Sequence, residues 1–133
     1  MGNQFNNQQI NIHADNEYAF RWSCYNGHIE TVKFLIDLDN QSDYGQIDIH
    51  AFNEEAFRYC CTNGHIETVK FLVVLGNQSD YGQIDIHAFN EEAFRYSYVN
   101  KHMEIANFLI DLGNQSNYTP IPHILRLKMK SFS

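Results

Sequence analysis

The sequence predicts an all-α solenoid of three stacked helix-turn-helix repeats of 37 residues, joined by long hairpin-like loops. Three observations carry this expectation. The stretch NGHIETVKFL occurs at residues 26–35 and again, letter for letter, at residues 63–72. A worn copy, Asn100 to Leu109, follows at the same displacement of 37 residues. Residues 10–46, 47–83 and 84–120 then align without a gap, the first two sharing 28 of 37 positions and the last two 24. Copies this similar count as one observation, strong for an architecture and weak for a chemical site.

The same register extends to both ends. Gly2-Asn3-Gln4 matches Asp39-Asn40-Gln41, Gly76-Asn77-Gln78 and Gly113-Asn114-Gln115, so residues 1–9 read as the tail end of a truncated preceding repeat. Residues 121–133 depart from the pattern and read as a C-terminal basic tail or partial cap.

Within the middle repeat, Phe52-Asn53-Glu54-Glu55-Ala56-Phe57 carries the first helix signal. Asn53 is expected as N-cap, with Glu54 and Glu55 at the positive end of the helix dipole. Phe52 and Phe57 fit a hydrophobic staple, repeated by Phe89 and Phe94 and broken by Asp15 in the first copy. Arg58 is placed to pair with Glu54, and Arg95 with Glu91, at i,i+4. Ala56, Phe57, Cys60 and Cys61 share one face, and Asn63-Gly64 ends the helix with Gly64 in the left-handed C′ position. A second helix is expected from about Ile66 to Leu75, stopped by Gly76. Asn77 to Gln83 is rich in turn formers, and Ile84-Asp85-Ile86-His87 alternates like a short strand or hairpin arm. One such unit has too few large apolar side chains to offset the ordering of its backbone, so it must stack on its neighbours.

Composition narrows the function classes. With 44% hydrophobic and 19% charged residues the chain is globular. No apolar run approaches a membrane span, and MGNQFNNQQI lacks the regions of a signal peptide. Residues 1–120 carry 16 acidic and 6 basic side chains, against three basic and no acidic ones beyond. An acidic body speaks against nucleic-acid binding. Three cysteines, two of them adjacent, make a poor disulfide framework and point to an intracellular setting.

The run from Asn26 to Leu35 closely resembles the ankyrin-repeat sequence NGHLEIVKLLL, and the resemblance covers residues 2–120. Asp85-Ile86-His87-Ala88 is similar to the family's DVNA segment, with seven residues, Asn77 to Gln83, inserted before it and three missing after it. The long loop and the IHA-N-E-A-F-R pattern resemble the ankyrin-repeat proteins of giant DNA viruses that infect amoebae, which implies the host cytoplasm. The family's TPLH tetrapeptide is replaced by Tyr18-Ala19-Phe20-Arg21, Glu55-Ala56-Phe57-Arg58 and Glu92-Ala93-Phe94-Arg95. The Gly of the inter-helix turn is Lys101 in the third repeat, at a strain of about 1–2 kcal/mol if that position is left-handed.

His13, His50 and His87 recur, with Asp48 and Asp85 two residues before the last two. Equivalent histidines on helices stacked about 8–10 Å apart cannot share a zinc ion bound at about 2.0–2.1 Å, so a loop-structuring role is expected. His28, His65 and His102 fall to the same reasoning, and the resemblance makes them turn residues. Cys24 and Cys61 read as buried structural thiols. No HExxH, GxGxxG or GxxxxGK[ST] occurs, and neither a metal nor a cofactor is implied. The Asn-x-Ser/Thr triplets at 40, 77, 114 and 117 match glycosylation acceptors but stand in a chain without signal-peptide features.

Trp22, Tyr59 and Tyr96 form the more informative set. The resemblance places them on the first helices, looking onto the concave groove, with Tyr25, Thr62 and Val99 nearby at a position that differs in all three repeats. These six are the candidate partner-binding residues: either a row of aromatic hot spots or rings that pack against neighbouring first helices. Tyr44, Tyr81 and Tyr118 in the loops are less specific. The tail from Pro120 to Lys130 reads as a closing helix or an alternating strand, with a basic contact to an acidic partner or a membrane surface as the sharper reading. The expected function is a non-catalytic scaffold for a protein partner. The alternative is a structural remnant of a longer array, stabilised by end-to-end self-association.

Overall fold

The computed structural model describes residues 11–41, 45–78 and 80–130. Residues 1–9 and Tyr44 lie outside them, and with them the expectation of a preceding repeat. The described residues form seven helices: α1 (Ala14–Tyr25), α2 (Ile29–Gln41), α3 (Ala51–Thr62), α4 (Ile66–Asn77), α5 (Ala88–Val99), α6 (Met103–Gly113) and α7 (His123–Lys130). α1, α3 and α5 pack side by side, and each packs on the helix that follows it; α4 also meets α6. Chemically equivalent side chains fill the core at each level. Phe20, Phe57 and Phe94 are fully buried on the first helices, as are Val32, Val69 and Ala106 on the second. Ile47, Ile84 and Ile121, spaced by 37, plug the connections in the same register.

The first-helix starts differ from expectation. Phe52, Asn53 and Glu54 all lie in the left-handed region (φ 57, 56 and 64), as do Asp15-Asn16-Glu17 and Phe89-Asn90-Glu91. Right-handed helix begins only after them. Asn53 therefore caps nothing with its side chain. Phe52 is turned outward, with the Arg21 guanidinium 4.6 Å from its ring centroid, and makes no staple with buried Phe57. Arg58 does not pair with Glu54. Its Nε donates to the Asn53 carbonyl at 2.9 Å and its Nη2 to that of Phe52 at 3.0 Å, while Nη1 reaches Glu92 of the next unit at 2.7 Å. Arg21 repeats the set on Asn16, Asp15 and Glu55. The arginine thus satisfies the carbonyls that the left-handed turn leaves open.

Glu54 is occupied elsewhere. His50 Nδ1 lies 2.7 Å from it, and its Oε2 accepts the Asp85 N–H of the next unit at 2.6 Å. Glu17 does the same between His13 and the Asp48 N–H, and Asp39 accepts the Ile47 N–H at 2.9 Å. No strand forms among the described residues, because side-chain carboxylates take the backbone donors that a strand partner would have taken. The inserted loop folds back on the preceding unit: the Tyr81 hydroxyl donates to Asp39 at 2.8 Å and that of Tyr118 to Asn77 at 3.0 Å. Burial, then the bond to Asp39, raises the Tyr81 phenol far above its ordinary value.

The inter-helix turns follow expectation. His65 N–H bonds the Cys60 carbonyl and Gly64 N–H that of Cys61, closing a Schellman motif with Gly64 at φ 82. A Cβ on Gly64 would stand 2.6 Å from the His102 ring, and one on Gly27 2.4 Å from that of His65. Lys101 takes the same left-handed position at φ 67. At the far end, Leu125 and Met129 of α7 pack against the core beside buried Ile121. Pro122 stands where Asp85 stands one unit earlier and has no N–H to give Glu91. Among the described residues, no helix is long and apolar enough to cross a membrane.

Gly64→Ala combines left-handed strain with the His102 contact and should lower stability by about 2–3 kcal/mol, measured by urea unfolding. Lys101→Gly should raise it by about 1 kcal/mol. A second prediction concerns pH. The bond to Glu54 outweighs burial and, with the Tyr81 carbonyl, lifts the His50 imidazole from 6.5 to about 9. Its stabilisation is complete below about pH 6.5 and is lost as pH rises through about 9. The melting temperature should fall across that window, and His50→Gln should make the fall shallower.

Candidate partner-binding face

The left-handed turns set the chemistry of the surface formed by α1, α3 and α5. By turning Phe52 and Phe89 outward they leave these rings 53% and 55% exposed, each stacked on the arginine of the preceding unit. The Arg58 guanidinium lies 4.2 Å from the Phe89 centroid, within cation–π range. Arg21, Phe52, Asn53, Glu55, Arg58, Tyr59, Phe89 and Glu92 line an open groove of about 690 Å³. A smaller cavity of about 210 Å³ adjoins it, lined by Tyr18, Trp22, Tyr25 and Asn26 and sharing Arg21, Glu55 and Tyr59 with the groove. The charges that line the groove are matched, Arg21 to Glu55 at 2.6 Å and Arg58 to Glu92 at 2.7 Å. The rings therefore sit over paired charge.

The six residues singled out from sequence separate into groups. Trp22, Tyr25 and Tyr59 come together in the smaller cavity; Tyr25 and Tyr59 meet edge to face at 5.3 Å, and Trp22 lies against His28. Trp22 and Tyr25 are 48% and 47% exposed, so the rings both pack and remain accessible. Tyr96 and Val99 are exposed on α5 and line neither cavity. Thr62 is half-buried, its hydroxyl donating to the Arg58 carbonyl at 2.9 Å. Tyr18, Phe52 and Phe89 were missed. The aromatic pattern at 52 and 89 was visible, but an i,i+5 phenylalanine pair at a helix start suggests a staple and conceals an inverted turn.

Neighbouring first helices are tied along this face by asparagines, Asn63 Nδ2 to the Tyr25 carbonyl and Asn100 Nδ2 to that of Thr62, each at 3.1 Å. Behind the face, Cys24, Cys60 and Cys61 are fully buried and free. Burial raises the Cys60 and Cys61 thiols well above the ordinary range, which removes their nucleophilic character. Both ring nitrogens of His50 are engaged, by Glu54 and by the Tyr81 carbonyl at 2.8 Å. Among the described residues, no three His, Cys, Asp or Glu side chains converge as a metal ion would require.

A family model described as "Ankyrin repeats (3 copies)" matches residues 2–85. Neither curated proteins nor solved structures yield a match. The matched segment takes in more than half of the chain, including the first two helical hairpins and both intact NGHIETVKFL turns. With repeat spacing, Schellman turns and stacked helical hairpins agreeing, the chain belongs to the ankyrin-repeat family.

Proposed function

We propose that the chain is a non-catalytic interaction module that takes a protein partner on the face of α1, α3 and α5. Ankyrin repeats are in general protein–protein interaction modules. The observation that carries the reading to this surface is the continuous row of half-exposed rings, Trp22, Tyr25, Tyr59, Phe52 and Phe89, over paired Arg–Glu charges. Aromatic rings bury much area for little lost entropy, and charges that are already paired and largely buried cost less to desolvate on contact than free ones. Tyr96, Val99 and Thr62 extend the proposed surface along α5 and α3. An intracellular setting belongs to the same proposal and is supported by three buried, unpaired thiols. A host cytoplasm is proposed as that setting on the sequence pattern of the long loop and the IHA-N-E-A-F-R segment alone.

The alternative is end-to-end self-association. Ile124 and Leu127 of α7, exposed while Leu125 and Met129 of the same helix pack against the core, are the observation in its favour. Replacing Trp22, Tyr59 and Tyr96 together by Ala should abolish partner capture from cell extract while leaving far-UV helicity intact. Unchanged capture would rule this face out as the binding surface.

A further inference from the structure

The two internal junctions show twice what an arginine at this position takes from the unit that follows. In each, Nε and Nη2 hold the carbonyls of the arginine's own left-handed turn. Nη1 binds a glutamate 34 residues on, and the guanidinium face receives a phenylalanine 31 residues on. The two incoming groups are three residues apart, Phe52-x-x-Glu55 and Phe89-x-x-Glu92.

Arg95 has the first half of this arrangement and not the second. Its Nε donates to Asn90 at 2.7 Å and its Nη2 to Phe89 at 3.4 Å. The register positions that would supply the ring and the carboxylate are Arg126 and Met129. Among the described residues, no carboxylate meets Nη1; the only ring within cation–π range is its neighbour Tyr96, at 5.4 Å. Arg126 has a buried Nε with no hydrogen-bond partner among the described residues.

We propose that Arg95 and Tyr96 form a half-site for an acidic segment of the partner protein that presents an aromatic ring and, three residues later, a carboxylate. The inference rests on the binding reading above only in placing the site on the same face; what it adds is the chemistry of the partner. A single guanidinium nitrogen is open, because the other two are committed to backbone carbonyls. One carboxylate oxygen satisfies it with a charge-assisted bond, whereas a phosphate would call on the whole fork.

The probe is an acetylated, amidated peptide with the sequence of residues 87–94, HAFNEEAF, titrated into the full chain with the Arg95 Nε–H and α5 amides followed by NMR. Shifts should centre on Arg95 and Tyr96. Affinity should fall about tenfold when Glu92→Gln is made in the peptide, and equally when Arg95→Gln is made in the protein. Arg95→Lys keeps the charge and should recover part of the loss, which guards against misfolding of the Gln variant. Glu30→Gln, at an exposed position of α2 away from this face, should leave peptide binding unchanged. No binding, or binding indifferent to both Glu→Gln and Arg95→Gln, overturns the proposal. Partner capture that survives both Arg95→Gln and Tyr96→Ala but is lost when Trp22 and Tyr59 are replaced together by Ala overturns it too, while leaving the binding face in place.

Discussion

One side chain per unit, the arginine at positions 21 and 58, joins local and long-range order. Three consecutive left-handed residues carry a penalty of about 1–2 kcal/mol each, less for asparagine, and leave carbonyls facing out of register. Arg58 answers both problems by bonding the carbonyls of Phe52 and Asn53. The same guanidinium then reaches Glu92 and lies over Phe89. The third unit forms the same turn with Arg95 on its own carbonyls and, among the described residues, no glutamate from a following unit, so the turn is local and the neighbour's glutamate and ring add to it. Stacking thus reinforces each unit's local structure while burying its core.

A second set of contacts repeats the logic with opposite polarity. Glu54, buried at the end of the left-handed turn, is neutralised by His50 of its own unit and bonded by the Asp85 N–H of the next. A carboxylate this deep is tolerated because both oxygens are engaged. The pattern stops where the chain places Pro122, which has no N–H, and a helix with Leu125 and Met129 turned toward the core. The exposed rings of the first-helix face follow from the same geometry, since the inverted turn aims Phe52 and Phe89 outward. Architecture and candidate surface have one cause.

Much of this was legible in the sequence. The 37-residue spacing, the apolar faces and the left-handed Gly64 follow from periodicity and from the chemistry of glycine. Lys101 takes the left-handed position that its alignment with Gly27 and Gly64 implies. The junction chemistry was hidden for a specific reason. In near-identical repeats, Glu54 at i−4 and Glu92 at i+34 are both within plausible reach of Arg58, and sequence alone favours the local partner. The hairpin segment misled in a related way: the alternation of Ile84 and Ile86 is real, but side-chain carboxylates satisfy its backbone where a strand was expected. Tyr81 and Tyr118 carried no distinguishing signal, because their partners lie 42 and 41 residues away.

The reinforcement of each unit by its successor is measured most directly by a double-mutant cycle on Arg58 and Glu92. Arg58→Gln, Glu92→Gln and the double variant would be unfolded in urea alongside the parent. A coupling energy of about 2 kcal/mol is expected for a largely buried, hydrogen-bonded pair that also stabilises a strained turn. Additive effects, with no coupling between the two sites, would contradict the account.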